Sequence, residues 1–177
     1  MLVAVLGRST PPFSRPLLSK AETLGKLLAL KGHVVSSGAC AGLPHAAIRQ
    51  AFQQGGKTVG YSPGQDVRHH VERFDSPTDS FSQLKFFGNK NWSQVLNLSW
   101  RSAHLIDDAD ALVCIEGSWG TVSEIAQGFW TEKPFGILES GGASAFVKRM
   151  EKTLAPRRVA HVVYSKKPET LIQRLTG

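Results

Sequence analysis

Cysteine is scarce in this chain of 177 residues: only Cys40 and Cys114 are present, and neither stands in a metal-type spacing. Both fall in or beside expected strands, where a free cysteine behaves as a small apolar residue. A reducing compartment is the simpler expectation. No apolar run reaches the ~18–20 residues that a membrane span needs. The opening MLVAVLGRST has no basic leader and no small-residue cleavage site, so it reads as a strand and not as a signal peptide. The expected location is therefore the cytoplasm. The histidines His33, His45, His69, His70, His104 and His161 are scattered without ligand spacing, and no metal site is expected. No Walker sequence is present, and no G-x-G-x-x-G follows the first strand, which disfavours ATP hydrolysis and ordinary dinucleotide binding.

Acidic residues are also in the minority, at 14 against 21 Lys/Arg, giving a net charge of +7. The excess is local. From Ser144 to Gly177 there are eight Lys/Arg and two Asp/Glu, which leaves a net charge of only +1 on the rest of the chain. A nucleic-acid binder using Arg157 and Arg158 is thus a lesser alternative. No aromatic ladder is interleaved with these charges, as a single-strand binder would want. A solvated basic face is the plainer reading.

What the sequence does have is regular alternation. Leu2–Leu6, His33–Ser36, Lys57–Tyr61, Ala111–Ile115, Pro134–Leu138 and Val159–Val163 are short apolar runs bounded by turn residues, as strands are. Between them, Leu17–Lys31, Leu43–Gln54, Trp92–Ile106, Trp119–Thr131 and Ala143–Leu154 read as helices, and Pro168–Leu175 closes the chain. Such a βα order implies one α/β domain over 1–177: Rossmann-like, doubly wound and mostly parallel, with about six or seven strands and helices on both faces. Residues 65–90 read as a long polar loop or insertion near the pocket.

Right-handed crossovers gather the strand-to-helix loops at the carboxyl edge of such a sheet, where ligands bind. Three loops should meet there: Gly7-Arg8-Ser9-Thr10, Ser36-Ser37-Gly38 to Gly42, and Glu116-Gly117-Ser118-Trp119-Gly120-Thr121. Glycines admit a ligand close to the backbone, and a helix N-terminus offers unpaired N–H groups, so phosphate is the natural guest. The plainer alternative is that these glycines only make tight turns. Glu124 lies on the first turn of the next helix and could be catalytic. Thr121-x-x-Glu124 equally matches a capping box. Arg101 could reach a phosphate, or could be a surface arginine paired with Asp107 or Asp108. Trp119, inside the turn, is expected near the mouth.

Arg101-Ser102, Asp110-Ala111 and Glu116-Gly117-Ser118-Trp119-Gly120-Thr121-x-x-Glu124 together resemble the signature of the LOG-type proteins, a family that includes molybdenum-cofactor carriers. Its usual pattern is an arginine, then Asp-Ala, then P-G-G-x-G-T-x-x-E. The likeness extends to Gly38, Gly42-Leu43, Gly60-Tyr61-Ser62-Pro63 and Lys133-Pro134, and runs over nearly the whole chain. It implies hydrolysis of the N-glycosidic bond of a nucleoside 5′-monophosphate to base and ribose 5-phosphate, with Arg101 and Glu124 catalytic. It also implies a homodimer, to which apolar helix faces such as Phe129-Trp130 would contribute. A non-catalytic carrier of a nucleotide or a phosphorylated pterin is the alternative. This chain departs from the signature at Glu116, where proline is usual, and at Ser118, where glycine is usual. Ser36-Ser37-Gly38 stands in place of three glycines. No resident cofactor is expected: the older label of the family, lysine decarboxylase-like, would need pyridoxal phosphate on a lysine, and the three loops hold none.

Overall fold

The structure is a computed structural model that describes residues 1–154 and 161–177. In chain order its elements are β1 (Leu2–Gly7), α1 (Arg15–Leu30), β2 (Val34–Ser37), α2 (Leu43–Gln53), β3 (Thr58–Ser62), α3 (Val67–Phe74), β4 (Gln83–Phe86), α4 (Gln94–Asp108), β5 (Ala111–Ile115), α5 (Trp119–Phe129), β6 (Phe135–Leu138), α6 (Gly142–Leu154), β7 (Val162–Ser165) and α7 (Pro168–Thr176). The seven strands form one sheet in the order β4-β3-β2-β1-β5-β6-β7. Every neighbouring pair is parallel.

The sheet is buried on both sides, and its strands β1 and β5 are near-continuous apolar runs. Along β1 the side chains alternate. Val3 and Val5 pack with Leu24 and Leu28 of α1, Leu43 and Ala47 of α2, and Leu171 and Ile172 of α7. Ala4 and Leu6 face the other way, into a layer with Leu105 of α4, Ile125 of α5 and Val147 of α6. The strand order reverses between β1 and β5, so a crevice opens at their carboxyl ends.

Residues 65–90 correct the sequence reading. The segment is no plain loop: it folds into α3 and β4 and adds the seventh strand. Both elements are hard to read because neither buries a regular apolar face. In α3 only His70 is buried, and the helix starts because Asp66 caps it by accepting the His69 N–H at 2.8 Å. The strand Gln83–Phe86 pairs on one side only, with β3, so it needs no apolar run. Helix α4 begins at Gln94 and not at Trp92, because the Ser93 hydroxyl accepts the Leu96 N–H. The last strand was expected over Val159–Val163 and lies at Val162–Ser165; Val159 and Ala160 fall outside the described residues. So do Arg157 and Arg158, on which the nucleic-acid alternative rests. Among the described residues no helix is long and apolar enough to cross a membrane.

Candidate functional site

The loops after β1, β2 and β5 meet at the reversal point around a cavity of about 170 Å³. Gly7 and Ser9 come from the first loop, Gly38 and Cys40 from the second, and Ser118, Gly120 and Thr121 from the third. Helix α4 adds Leu98 and Arg101, α2 adds Pro44, and α5 adds Glu124.

The third loop turns sharply because Glu116 takes φ 53° and Gly117 φ 134°. A β-carbon at Gly117 would stand 2.4 Å from Thr121 Cβ, so only glycine fits beside that packed threonine. The turn delivers the chain into α5 with Ser118 as N-cap, whose side chain makes no capping hydrogen bond. The first-turn N–H groups therefore keep their donors for a guest, and the helix dipole favours a negative one.

Glu124 is turned away from the cap. Its Oε1 accepts the Ser102 hydroxyl at 2.9 Å and lies 3.4 Å from Arg101 Nη1. Arg101 in turn is not a surface arginine. Its side chain is only 10% exposed and its guanidinium lies against Gly38. Asp108 has other partners, accepting Tyr61 Oη–H at 2.6 Å and Lys85 Nζ–H at 2.9 Å. The Arg101 Nε–H is buried with no acceptor among the described residues. A buried, unpaired guanidinium donor beside a cavity is costly unless a ligand supplies the acceptor.

Arg8 and Glu116 do not line the cavity; they pair with each other at 3.1 Å just outside it. The charge at Glu116, foreign to the signature, is thereby matched within the protein. Gly42 and Gly117 shape the walls from behind. Gly42, at φ 83°, packs on the Arg8 carbonyl and Ser9. Trp119, between the lining residues Ser118 and Gly120, is 79% exposed, stands edge-on to Phe146 at 6.1 Å between ring centroids, and is not part of the cavity wall. It occupies the first helical position, about 140–160° around the helix from Thr121 and Glu124.

The sequence reading missed Cys40, Pro44, Leu98 and Ser102. Leu98 could have been found, since it precedes Arg101 by three residues and so shares its helix face. Ser102 carried no signal beyond its place next to Arg101. Burial pushes the Cys40 thiol up from its usual range, so it is a poor nucleophile at neutral pH.

Two features elsewhere invite chemistry and do not supply it. Ser62 Oγ and His70 Nδ1 lie 2.8 Å apart, but the pair is sealed in the protein. His70 Nε2 bonds the Pro77 carbonyl, and Ser62 Oγ accepts the Gly64 N–H. A wider cleft of about 510 Å³ opens beside Glu139, Ser140 and Lys148, where Lys148 is already paired with Glu139 at 2.8 Å.

Comparison with known proteins agrees with this architecture. The X-ray structure of TM1055 superposes with a TM-score of 0.79 at 25% identity, covering 98% of this chain and 96% of that one. The molybdenum cofactor binding protein of Rippkaea orientalis gives 0.78 at 21% identity, with 98% and 93% covered. The molybdenum cofactor carrier protein of Chlamydomonas reinhardtii gives 0.72 at 19%, with 98% and 96% covered. Among curated sequences, an uncharacterized protein of Archaeoglobus fulgidus is 27% identical over 106 residues, a stretch covering 60% of each chain, so this chain spans less than two thirds of that relative. The family profile described as the SLOG cluster4 family matches residues 1–172, and the chain belongs to that family.

Proposed function

We propose that this protein binds a nucleoside 5′-monophosphate at the β1/β5 crevice and hydrolyses its N-glycosidic bond. The observation that carries the reading is the Arg101–Glu124 pair, held together in the cavity wall about one and a half helical turns from the α5 N-terminus. In this reading the first-turn N–H groups of α5 hold the phosphate. The Glu124 carboxylate faces the ribose, stabilises the oxocarbenium charge as the bond to the base breaks, and positions the water that adds to the sugar. Arg101 keeps that carboxylate oriented and offers its free Nε–H to the ligand. The donors are fixed in advance by packing and need little reorganisation during reaction.

The test is base release. Purified protein is incubated with a panel of nucleoside 5′-monophosphates, modified adenines included, and free base is followed by chromatography. Release that disappears in Glu124→Gln and Arg101→Ala supports the hydrolase. Intact nucleotides throughout would overturn it.

A second reading is a carrier of a phosphorylated pterin or nucleotide, without turnover. It is favoured by two of the similar structures, whose names state molybdenum cofactor binding and carriage. Saturable binding with no product would support it. The protein is also proposed to work as a homodimer, since Trp100 on α4, with Trp119 and Trp130 at the two ends of α5, leave large apolar surface on one side of the sheet.

A further inference from the structure

We infer that Glu116 is a built-in competitor for Arg8, so that the pair sets how strongly the site favours a phosphorylated ligand. The inference rests on the proposed phosphate seat at the α5 N-terminus.

The geometry starts from where Arg8 is held. It lies between Gly7 and Ser9, both in the cavity wall, and its guanidinium stands 5.0 Å over the Phe13 ring. Nη1 is 3.1 Å from Glu116 Oε1, and Nη2 donates to the Pro12 carbonyl. The Nε–H is buried with no acceptor among the described residues. The Glu116 side chain is 12% exposed, so this ion pair is largely withdrawn from water.

Glu116 belongs to the same turn that presents the α5 N-terminus; Ser118, two residues on, is the N-cap. A guanidinium in contact with this carboxylate is therefore within a side chain's length of an anion seated on the turn. Here the internal carboxylate occupies it. A phosphate arriving at the α5 N-terminus competes with Glu116 for Arg8 and can also engage the idle Nε–H. A planar, forked guanidinium suits that exchange. Arg101, whose Nε–H also finds no acceptor among the described residues and whose side chain is nine-tenths buried, lies in the cavity wall itself. One spare guanidinium donor thus lines the crevice and a second lies just outside it.

Glu116 offsets the charge that Arg8 would otherwise offer. Phosphate affinity is thus held below what the two arginines and the helix terminus could give together. A carboxamide at 116 keeps the shape and removes the competing charge.

The experiment measures binding of inorganic phosphate and of ribose 5-phosphate by calorimetry to the full chain, Glu116→Gln, Arg8→Ala and the double variant, with ribose as the uncharged control. The expected result is phosphate affinity raised about five- to twentyfold in Glu116→Gln, ribose unaffected, and the gain lost in the double variant. Melting temperature checks that each variant is folded. If Arg8→Ala fails to fold, Arg8→Lys replaces it and should retain only part of the gain. Wild-type binding with no gain in Glu116→Gln overturns the inference alone. A gain that survives loss of Arg8 overturns it too, by showing general repulsion in place of competition. No phosphate binding in any folded variant overturns the phosphate seat itself, and this inference with it.

Discussion

Arg101 lies across Gly38 so closely that a β-carbon on residue 38 would stand 1.5 Å from its Nη1. The guanidinium that meets Glu124 is therefore seated on bare backbone. Gly38→Ala should push it aside without disturbing the fold, because Gly38 does not need a positive φ. A displacement of about 1 Å at a reacting group can cost ~100-fold in rate. Under the proposed hydrolysis, base release by Gly38→Ala should fall at least tenfold in kcat/KM, with far-ultraviolet circular dichroism unchanged. Undiminished release would mean that Arg101 needs no fixed position.

Ser102 orients Glu124 from the α4 side through a 2.9 Å hydrogen bond. Ser102→Ala removes the donor and leaves the carboxylate with Arg101 alone. A hydrogen bond to a charged group contributes ~1.5–3 kcal/mol. Under the proposed hydrolysis, loss of that bond should lower kcat roughly tenfold or more with KM little changed. Ser102→Thr should restore most of the loss. A lower melting temperature with unchanged kcat would make Ser102 a packing residue only.

The fold was legible where apolar periodicity is strong. Six of the strands and the helices α1, α2, α5 and α6 follow from residues such as Val3–Leu6 and Leu24–Leu28, whose burial the spacing dictates. The segment with Gln83–Phe86 was not legible, because a one-sided edge strand carries no such pattern. At the site, spacing could name Arg101 and Glu124 but could not choose between cap and cavity. That choice depends on α4 packing beside α5, a contact between residues 22 apart in sequence. For Trp119, proximity to the turn says nothing of which way a first-turn side chain points.

Placing at position 116 the proline of the LOG-type signature that the sequence resembles should harm this protein. Glu116 sits at φ 53°, and the proline ring holds φ near −65°. The variant also loses the Arg8 ion pair. Glu116→Pro should destabilise by about 3 kcal/mol or more, read as a shift in denaturant midpoint, whereas Glu116→Gln should cost no more than about 1–2 kcal/mol. Equal stabilities would mean that the turn readily adopts another conformation.

Trp130 is 89% exposed beside a groove of about 280 Å³ between α5 and α6, lined by Phe129, Phe146 and Met150. Large exposed aromatic area of this kind marks an interface more often than free surface. If two copies meet here, Trp130→Glu should shift sedimentation equilibrium from dimer toward monomer by tenfold or more in Kd. Ser123→Glu, on an exposed position of the same helix outside the groove, serves as the charge control. A chain that sediments as a monomer, or a dimer indifferent to Trp130→Glu, would count against this face.

Asp108 ties the edge of the sheet to α4, and its protonation should be visible in stability. Burial opposes its charge, but the hydrogen bonds from Tyr61 and Lys85 outweigh that and hold the carboxyl below its usual value. A depressed folded value means that the contribution is present above the unfolded value of about 3.9 and is lost as pH falls through the folded one. The partners set the alkaline side. The bonds to Asp108 and Tyr61 hold the Lys85 ammonium above its usual value, while burial and then Asp108 push the Tyr61 hydroxyl up. Their contributions are full below about pH 10 and fade as pH rises through the raised values. Asp108→Asn keeps the shape and removes the charge. Because the Asp108 and Lys85 side chains are each 36% exposed, screening limits the effect to about 1 kcal/mol, or ~2–4 °C in melting temperature. The gap between wild type and variant should hold from about pH 5 to 9 and begin to narrow below about pH 4. A gap that does not narrow as pH falls to about 2 would assign it to packing against Phe87, which stacks on Tyr61 at 5.5 Å, and not to the carboxylate charge.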